Sequence, residues 1–368
     1  MIFNDVRLEA IGATIPDEIW SSDLIERKLA PLYQRLKLPE GRLALMSGID
    51  ERRVWPPGTV PSGPSIASGR QAIAAADIDP GRIGCLIHAS VCRDFLEPAT
   101  ASRVHHELGL PAKCWVYDVS NACLGLINGA VQIAGLIQSG AIEAGIVVGT
   151  ENSRPLLQGT IDALNADTTV TRKTVKPAFA SLTIGSGSCA WLLTHASISK
   201  SQTRLDAGIA IANTRHHDLC RSDDDTAGAG MMPLMETDSE RLMREGIATG
   251  TAALEELLGE TGWSRERIDR TVCHQVGGKH RSEMLASMRL PLERDAITFP
   301  FLGNTGSVAL PLTLAAAAQH DQITRGDKVT LLGIGSGINS VMMAATWGAT
   351  PVRSNLPAAI SAGTAPAV

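Results

Sequence analysis

The stretch Asp118-Val119-Ser120-Asn121-Ala122-Cys123-Leu124-Gly125 decides how the rest of the chain is read. An apolar run ends at Ser120 and Asn121, and beyond Gly125 small and apolar residues continue to Gly140. That change predicts a buried strand giving way to a helix, with Cys123 at the joint. A cysteine in the first turn of a helix meets the positive dipole end and free backbone N–H groups. Both favour thiolate, the nucleophilic form. The other reading is an inert buried thiol, because free cysteine is among the most buried residue types.

Outward from this joint, apolar runs at 83–89, 145–149, 188–193, 270–273 and 329–333 read as buried strands. Between them, 65–76 and 248–258 carry apolar residues three and four apart, the helical period. Strands alternating with helices predict an α/β chain whose mostly parallel sheet is covered on both faces. One order of elements occurs twice: turn, small-residue helix, glycine turn, buried strand. It follows Asn121, and it follows Asn304, where Gly326-Asp327-Lys328 leads into 329–332. Two related halves meeting near 194–204 account for it; chance similarity of two βα units is the alternative. The halves are therefore set at 1–198 and 199–350. Residues 351–368, rich in Pro, Ala and Ser, read as a disordered tail. Residues 151–180 and 216–240 are rich in Thr, Asp, Asn and Gly and lack clear periodicity. They read as substrate-lining loops or as mobile solvated ones.

Composition sets the outer bounds. The 368 residues are 44% hydrophobic, enough for one large core or two packed halves. Aromatics at 4% beside 35 glycines suit closely packed α/β layers better than an aromatic-rich sandwich. A net charge of −5 gives no support for nucleic-acid binding. The start, Met1-Ile2-Phe3-Asn4-Asp5-Val6-Arg7, lacks the pattern of a signal peptide. The most apolar stretch, 126–148, is interrupted by Gln132, Gln138, Ser139, Gly140 and Glu143. A buried helix followed by a strand fits it better than a membrane span. Seven scattered cysteines without a C-x-x-C pair point to reduced thiols in a cytoplasm.

Two further polar positions bear on Cys123. His274 ends an apolar strand in Val272-Cys273-His274-Gln275-Val276-Gly277. Asn304 lies in the glycine-flanked turn Phe301-Leu302-Gly303-Asn304-Thr305-Gly306-Ser307, which opens a helix. A thiolate, an imidazole and a side-chain amide together make a nucleophile with two donors for a thioester oxygen. Taken singly, His274 reads equally as a satisfied core histidine and Asn304 as a helix cap.

In that order, Asn-Ala-Cys-Leu-Gly, His-Gln-Val-Gly and Gly-Asn-Thr-Gly-Ser resemble the Cys-His-Asn site of the thiolase superfamily's ketoacyl synthase III branch. The resemblance spans residues 5–348, from Ser47-Gly48-Ile49-Asp50-Glu51-Arg52-Arg53 to Gly333-Ile334-Gly335-Ser336-Gly337. It implies a thiolase fold, five layers α-β-α-β-α in two pseudo-repeated halves. It also implies that Cys123 is acylated while His274 and Asn304 hold the enolate oxygen of the second substrate. A second oxyanion hole would come from the backbone N–H groups of Cys123 and Gly337. In Ser90-Val91-Cys92-Arg93-Asp94-Phe95-Leu96-Glu97-Pro98, Glu97 stands where ordinary ketoacyl synthases III usually have an aromatic. Glu before that proline is similar to the olefin-biosynthesis condensing enzymes of the OleA type, which join two fatty acyl-CoA molecules head to head. There the loop crosses a homodimer interface and places the glutamate in the neighbour's site. A malonyl substrate makes its carbanion by losing carbon dioxide, whereas a plain acyl thioester needs a base to take its α-proton. Glu97 is the candidate base; an interface glutamate paired with Arg93 or another cation is the other reading.

The same resemblance implies no metal and no redox cofactor, the thiol carrier arriving with the substrate as acyl-CoA or acyl carrier protein. Gly333-Ile334-Gly335-Ser336-Gly337 does not complete a dinucleotide fingerprint, because Ile338 occupies the last glycine position. His216-His217-Asp218-Leu219-Cys220 reads better as a solvated loop than as a metal cluster. Thr305 matches Cys123 in the repeat without an evident role. The segment Gly41-Arg42-Leu43 lacks the tryptophan that many ketoacyl synthases III set against the coenzyme's adenine. The rival readings are a decarboxylating synthase using malonyl-carrier protein and a catalytically silent synthase partner.

Overall fold

A computed structural model describes residues 1–222 and 235–357. In the first half, the sheet strands are β1 (Val6–Thr14), β2 (Ile83–Ala89), β3 (Trp115–Val119), β4 (Ala144–Glu151) and β5 (Gly187–His195). In the second they are β6 (Arg204–Ala212), β7 (Arg270–Cys273), β8 (Asp295–Ala296), β9 (Lys328–Gly335) and β10 (Asn339–Thr346), with β11 (Val352–Ser354) after them. The first five lie in the order β3-β2-β4-β5-β1 and the second five in the order β8-β7-β9-β10-β6. In each set the central strand of the parallel trio, β2 or β7, runs parallel to both neighbours. The next two pairings in each set are antiparallel. The two halves thus repeat one topology, and a single pair, Arg7 with Arg204, joins β1 to β6.

The helices that matter for the site are α1 (Ser62–Ala76), α2 (Thr100–Leu108), α3 (Gly125–Gln138), α4 (Ser239–Thr261), α5 (Gly278–Met288) and α6 (Ala309–Gln319). Helices α1 and α2 cover the outer face of the first sheet, and α4 with α5 cover that of the second. Between the sheets lie α3, against β2, β4 and β5, and α6, against β1, β5, β7, β8 and β9. The result is the five-layer α-β-α-β-α thiolase fold. Every residue of α6 from Ala309 to Ala317 is buried, the condition of a helix enclosed on all sides. Small side chains such as Gly129, Ala130 and Ala315 to Ala317 let these helices fit in the narrow middle layer. With both faces covered, all eight residues of β4 are buried, so its sequence shows no alternation.

Two expectations are corrected and one is extended. Residues 151–180 are not irregular: they contain the helix Arg154–Ala166 and the 3₁₀ segment Lys176–Thr183. Leu157, Ile161 and Leu164, four and three apart, drive that helix into a cluster with Trp20, Leu32 and Tyr33. The run 248–258 belongs to a longer helix, α4, capped by the Asp238 carboxylate accepting from Arg241 N at 3.1 Å. Residues 351–357 of the expected tail have defined places in the fold. β11 pairs in parallel with β1, Asn355 brackets Ile15 with two side-chain bonds of 2.8 Å, and Leu356 is buried. The remainder of the tail expectation, 358–368, lies outside the described residues, as does most of the 216–240 segment. Within the latter, Cys220–Ser222 pairs antiparallel with Met235–Thr237.

Leu356 therefore belongs to the core. Leu356→Ala is expected to destabilise the protein by about 2–4 kcal/mol in denaturant unfolding. A variant as stable as the parent would return this segment to the role of a dispensable tail.

Candidate active site

Both sheets direct the carboxyl ends of their parallel strands toward the middle layer's helix starts, the usual ligand side of an α/β sheet. After β3 the chain bends through Ala122, whose φ of +43° is unusual for a residue with a side chain. The bend is fixed by Asn121. Its amide donates to Asn128 Oδ1 in α3 at 2.8 Å and its oxygen accepts from Asn339 Nδ2 at 3.3 Å. Cys123 follows, and the segment from Cys123 to Gly125 lies against two others. A Cβ placed on Gly335 would lie 3.7 Å from Cys123 Cβ, and one on Gly125 would lie 3.5 Å from Ser307 Cβ. The strand-end turn from β9 and the Asn304 turn both adjoin the nucleophile segment. Gly337 has φ of +123°, and a Cβ there would stand 2.5 Å from Asn339 Nδ2, so only glycine fits.

Cys123 does not have the thiolate-favouring setting expected of it. Burial pushes its thiol up to about 12, and nearby Cys220 and Glu151 add to the rise, while its own backbone N–H pulls the other way. The physical reason is position: the helix begins only at Gly125, with Leu124 as its N-cap, so Cys123 precedes the first turn. Desolvation dominates.

His274 follows β7 and its backbone N–H donates to Leu332 O on β9 at 3.0 Å. The side chain is buried, Nδ1 has no hydrogen-bond partner among the described residues, and burial, then His280, lowers its pKa to about 3. It is a neutral imidazole at neutral pH, with one N–H to give and one lone pair. Its neighbour Gln275 accepts from Thr298 N at 3.0 Å and Phe299 N at 3.3 Å. That ties the histidine strand to the short helix Phe299–Leu302 just before Asn304. Asn304 exchanges backbone bonds with Thr183 and Gly185, both at 2.9 Å. Its Oδ1 accepts from Gly306 N at 3.0 Å, so the amide's NH₂ is what the side chain offers to a ligand.

Glu97 stands apart. It is exposed on the loop that follows β2, beside exposed Val91, Phe95 and Leu96, and among the described residues it makes no hydrogen bond to Cys123, His274 or Asn304. The loop's base is fixed: Asp94 accepts from Ser62 N at 2.8 Å, and Asp118 accepts from Thr100 and Ala101 N, both at 2.8 Å. The His216–Cys220 segment reaches Cys123 through Cys220, while its other side chains have partners of their own. His216 faces Glu245 and Arg241 at 3.4 Å each, and Thr237 Oγ1 donates to Cys220 Sγ at 3.4 Å. Sequence reasoning missed Glu151, a buried carboxylate at the end of β4. The signal was there, a single acid closing the otherwise uncharged buried run Val147-Val148-Gly149-Thr150-Glu151.

Two family models match the chain. They are the N-terminal domain of thiolase, over residues 65–203, and the C-terminal domain of 3-oxoacyl-[acyl-carrier-protein] synthase III, over residues 258–347. The acyl-CoA:acyl-CoA alkyltransferase of Shewanella oneidensis is 37% identical, with 94% of this chain and 100% of that protein covered. The protein of that name from Xanthomonas campestris is 30% identical, with 94% and 100% covered. The solved structure of cerulenin-bound Xanthomonas OleA matches with a TM-score of 0.89 at 30% identity, covering 94% of this chain and 98% of that one. Xanthomonas OleA has also been solved with a glutamate or a histidine replaced. A cysteine variant has been solved with lauric acid and lauroyl-CoA bound.

The buried thiol gives a pH signature. With its pKa near 12, alkylation of Cys123 by iodoacetamide is expected to rise about tenfold per pH unit from 7 to 10. Peptide-resolved mass spectrometry reads the rate at Cys123 alone. A plateau below pH 8 would mean a resting thiolate.

Proposed function

The chain belongs to the thiolase-fold family of acyl-CoA:acyl-CoA alkyltransferases, and from that membership we propose that it joins two fatty acyl thioesters head to head by non-decarboxylative Claisen condensation. The observation that carries this reading is the meeting of three segments from both halves. The Cys123 joint touches the Gly335 turn at one end and the Ser307 end of the Asn304 turn at the other.

In the first half-reaction the Cys123 sulfur attacks the thioester carbonyl. Its bond to the carbonyl carbon forms, the carrier's C–S bond breaks, and the carrier leaves as the thiol with the proton Cys123 gives up. The N–H groups of Cys123 and Gly337 are the donors for the oxyanion of this step. A second acyl thioester then enters. Glu97 takes its α-proton, His274 and Asn304 stabilise the enolate oxygen, and the α-carbon attacks the acyl group on Cys123. The new C–C bond replaces the Cys123 thioester, freeing the sulfur and giving a β-ketoacyl thioester, which hydrolysis converts to the β-keto acid. None of these steps calls for a metal or a redox cofactor.

Coenzyme A is the carrier in this reading, supported by the lauroyl-CoA complex of the Xanthomonas relative. The working unit is a homodimer in which Glu97 acts in the neighbour's site. Two observations support it. β3 is an edge strand with Trp115 62% exposed, and Ser90 N donates to Val119 O at 3.2 Å, setting the loop with Val91, Phe95 and Leu96 beside that edge. An unpaired edge next to exposed apolar side chains is a surface that a second copy would cover. Seven free thiols favour a cytoplasmic site, and among the described residues no helix is long and apolar enough to cross a membrane.

Complementation tests the chemistry and the dimer together. Cys123→Ala and Glu97→Gln should each lose condensation of acyl-CoA alone. If the base acts across the interface, randomly re-paired mixed subunits recover about one quarter of wild-type activity. A base acting within its own subunit gives no recovery. An absolute requirement for malonyl substrate would instead establish the decarboxylating synthase.

A further inference from the structure

Glu151 ends β4 with its side chain buried between the two pieces of chain that matter for the second half-reaction. One carboxylate oxygen, Oε1, accepts from three donors: Ser307 Oγ at 2.5 Å, Ser307 N at 3.3 Å and Val91 N at 3.1 Å. Ser307 and Gly306 belong to the Asn304 turn, and Gly306 N is the donor that orients the Asn304 amide. Val91 is the second residue of the loop that carries Glu97. The fit to the turn is tight: a Cβ on Gly306, where φ is +55°, would lie 3.0 Å from Glu151 Cγ. The other end of the residue is fixed as well, its backbone oxygen accepting from Trp55 Nε1 at 3.1 Å. Ser90 Oγ donates to Thr150 O at 2.6 Å, a second tie between the loop and the end of β4.

We propose that Glu151 is a positioning residue that sets the Glu97 loop and the Asn304 turn in register for α-proton removal and enolate binding. The inference rests on the roles of Glu97 and Asn304 given above. A single acceptor oxygen shared by both segments fixes their separation, so a shift in one is felt by the other. The backbone around Cys123 and its oxyanion donors is held by Asn121 and the β9 turn instead; Glu151 reaches the thiol only as a nearby charge that raises its pKa, so removing it should not slow acylation. The two half-reactions should therefore separate in Glu151 variants, which general damage to the fold would not produce.

The test uses the full-length protein with decanoyl-CoA as probe. Acyl-Cys123 formation is followed by intact mass, and β-keto product by chromatography. In Glu151→Ala, condensation is expected to fall about tenfold to a hundredfold, while acylation slows by no more than about threefold. Glu151→Gln keeps an acceptor at Oε1 and is expected to condense within about fivefold of wild type. Ser307→Ala, a milder lesion, should lose condensation selectively and gives the same readout if Glu151→Ala does not fold. Equal loss of both half-reactions, or full condensation by Glu151→Ala, overturns the proposal. Wild-type protein that acylates but never condenses two acyl-CoA molecules overturns the parent reading instead, whatever the Glu151 variants do.

Discussion

The constraint on which the molecule depends is the narrow middle layer. Two helices must run back between two sheets, so α3 and α6 are buried on nearly all sides and are built from Gly, Ala, Leu and Ile. That packing brings the helix starts and the carboxyl ends of strands from both sheets to one place. The repeated topology then supplies the site in equivalent pairs. The turn before α3 carries Cys123, and the turn before α6 carries Asn304. The end of β2 leads into the Glu97 loop, and its counterpart, the end of β7, carries His274. The end of β4 carries Glu151, and the matching end of β9 carries Gly335 with Gly337 beyond it. One folding rule applied twice makes a site with a different residue at each corner.

Burial sets the electrostatic character of that place. Desolvation raises the Cys123 thiol and lowers the imidazoles of His274 and His280, so all three groups are neutral at rest. A site of this kind does not hold a standing ion pair of the sort that activates many catalytic cysteines. It suits chemistry in which negative charge is developed on a thioester oxygen and met by fixed donors, since such donors count for more in a dry site than in water. The acid lability of a bare α-C–H is low, which is why a base beyond these neutral groups is chemically necessary for condensation without decarboxylation.

Much of this was legible in the sequence because burial leaves a plain record. The runs at 83–89 and 270–273 coincide with the observed strands, and the turn–helix–strand repeat corresponds to α3–β4 and α6–β9. Cys123, His274 and Asn304 stood out as polar residues interrupting apolar elements. What stayed hidden depended on contacts distant in sequence. Helix Arg154–Ala166 looks polar because its buried face, Leu157, Ile161 and Leu164, is sparse and finds its partners more than a hundred residues earlier. The ordering of β11 depends on pairing with β1 at the opposite end of the chain. For Cys123, local sequence shows the coming helix but not the depth at which its start is buried, and that depth is what pushes the thiol up.

Glu151 and Glu97 show how far environment separates residues of one type. Glu151 Oε1 is already engaged by three donors, and its side chain is enclosed by the turn it holds. An oxygen so committed has no open approach to a substrate C–H bond. Glu97 is the reverse, exposed on an anchored loop whose apolar flanks, Val91, Phe95 and Leu96, are more than half exposed among the described residues. Exposure would be a poor setting for a base that must work on an acyl chain in a dry channel. In the proposed dimer a second copy would cover those flanks, take water from the loop and leave the carboxylate facing protein. In the proposed dimer, assembly would do more than bury surface, since it would give this surface glutamate a setting in which a base can act.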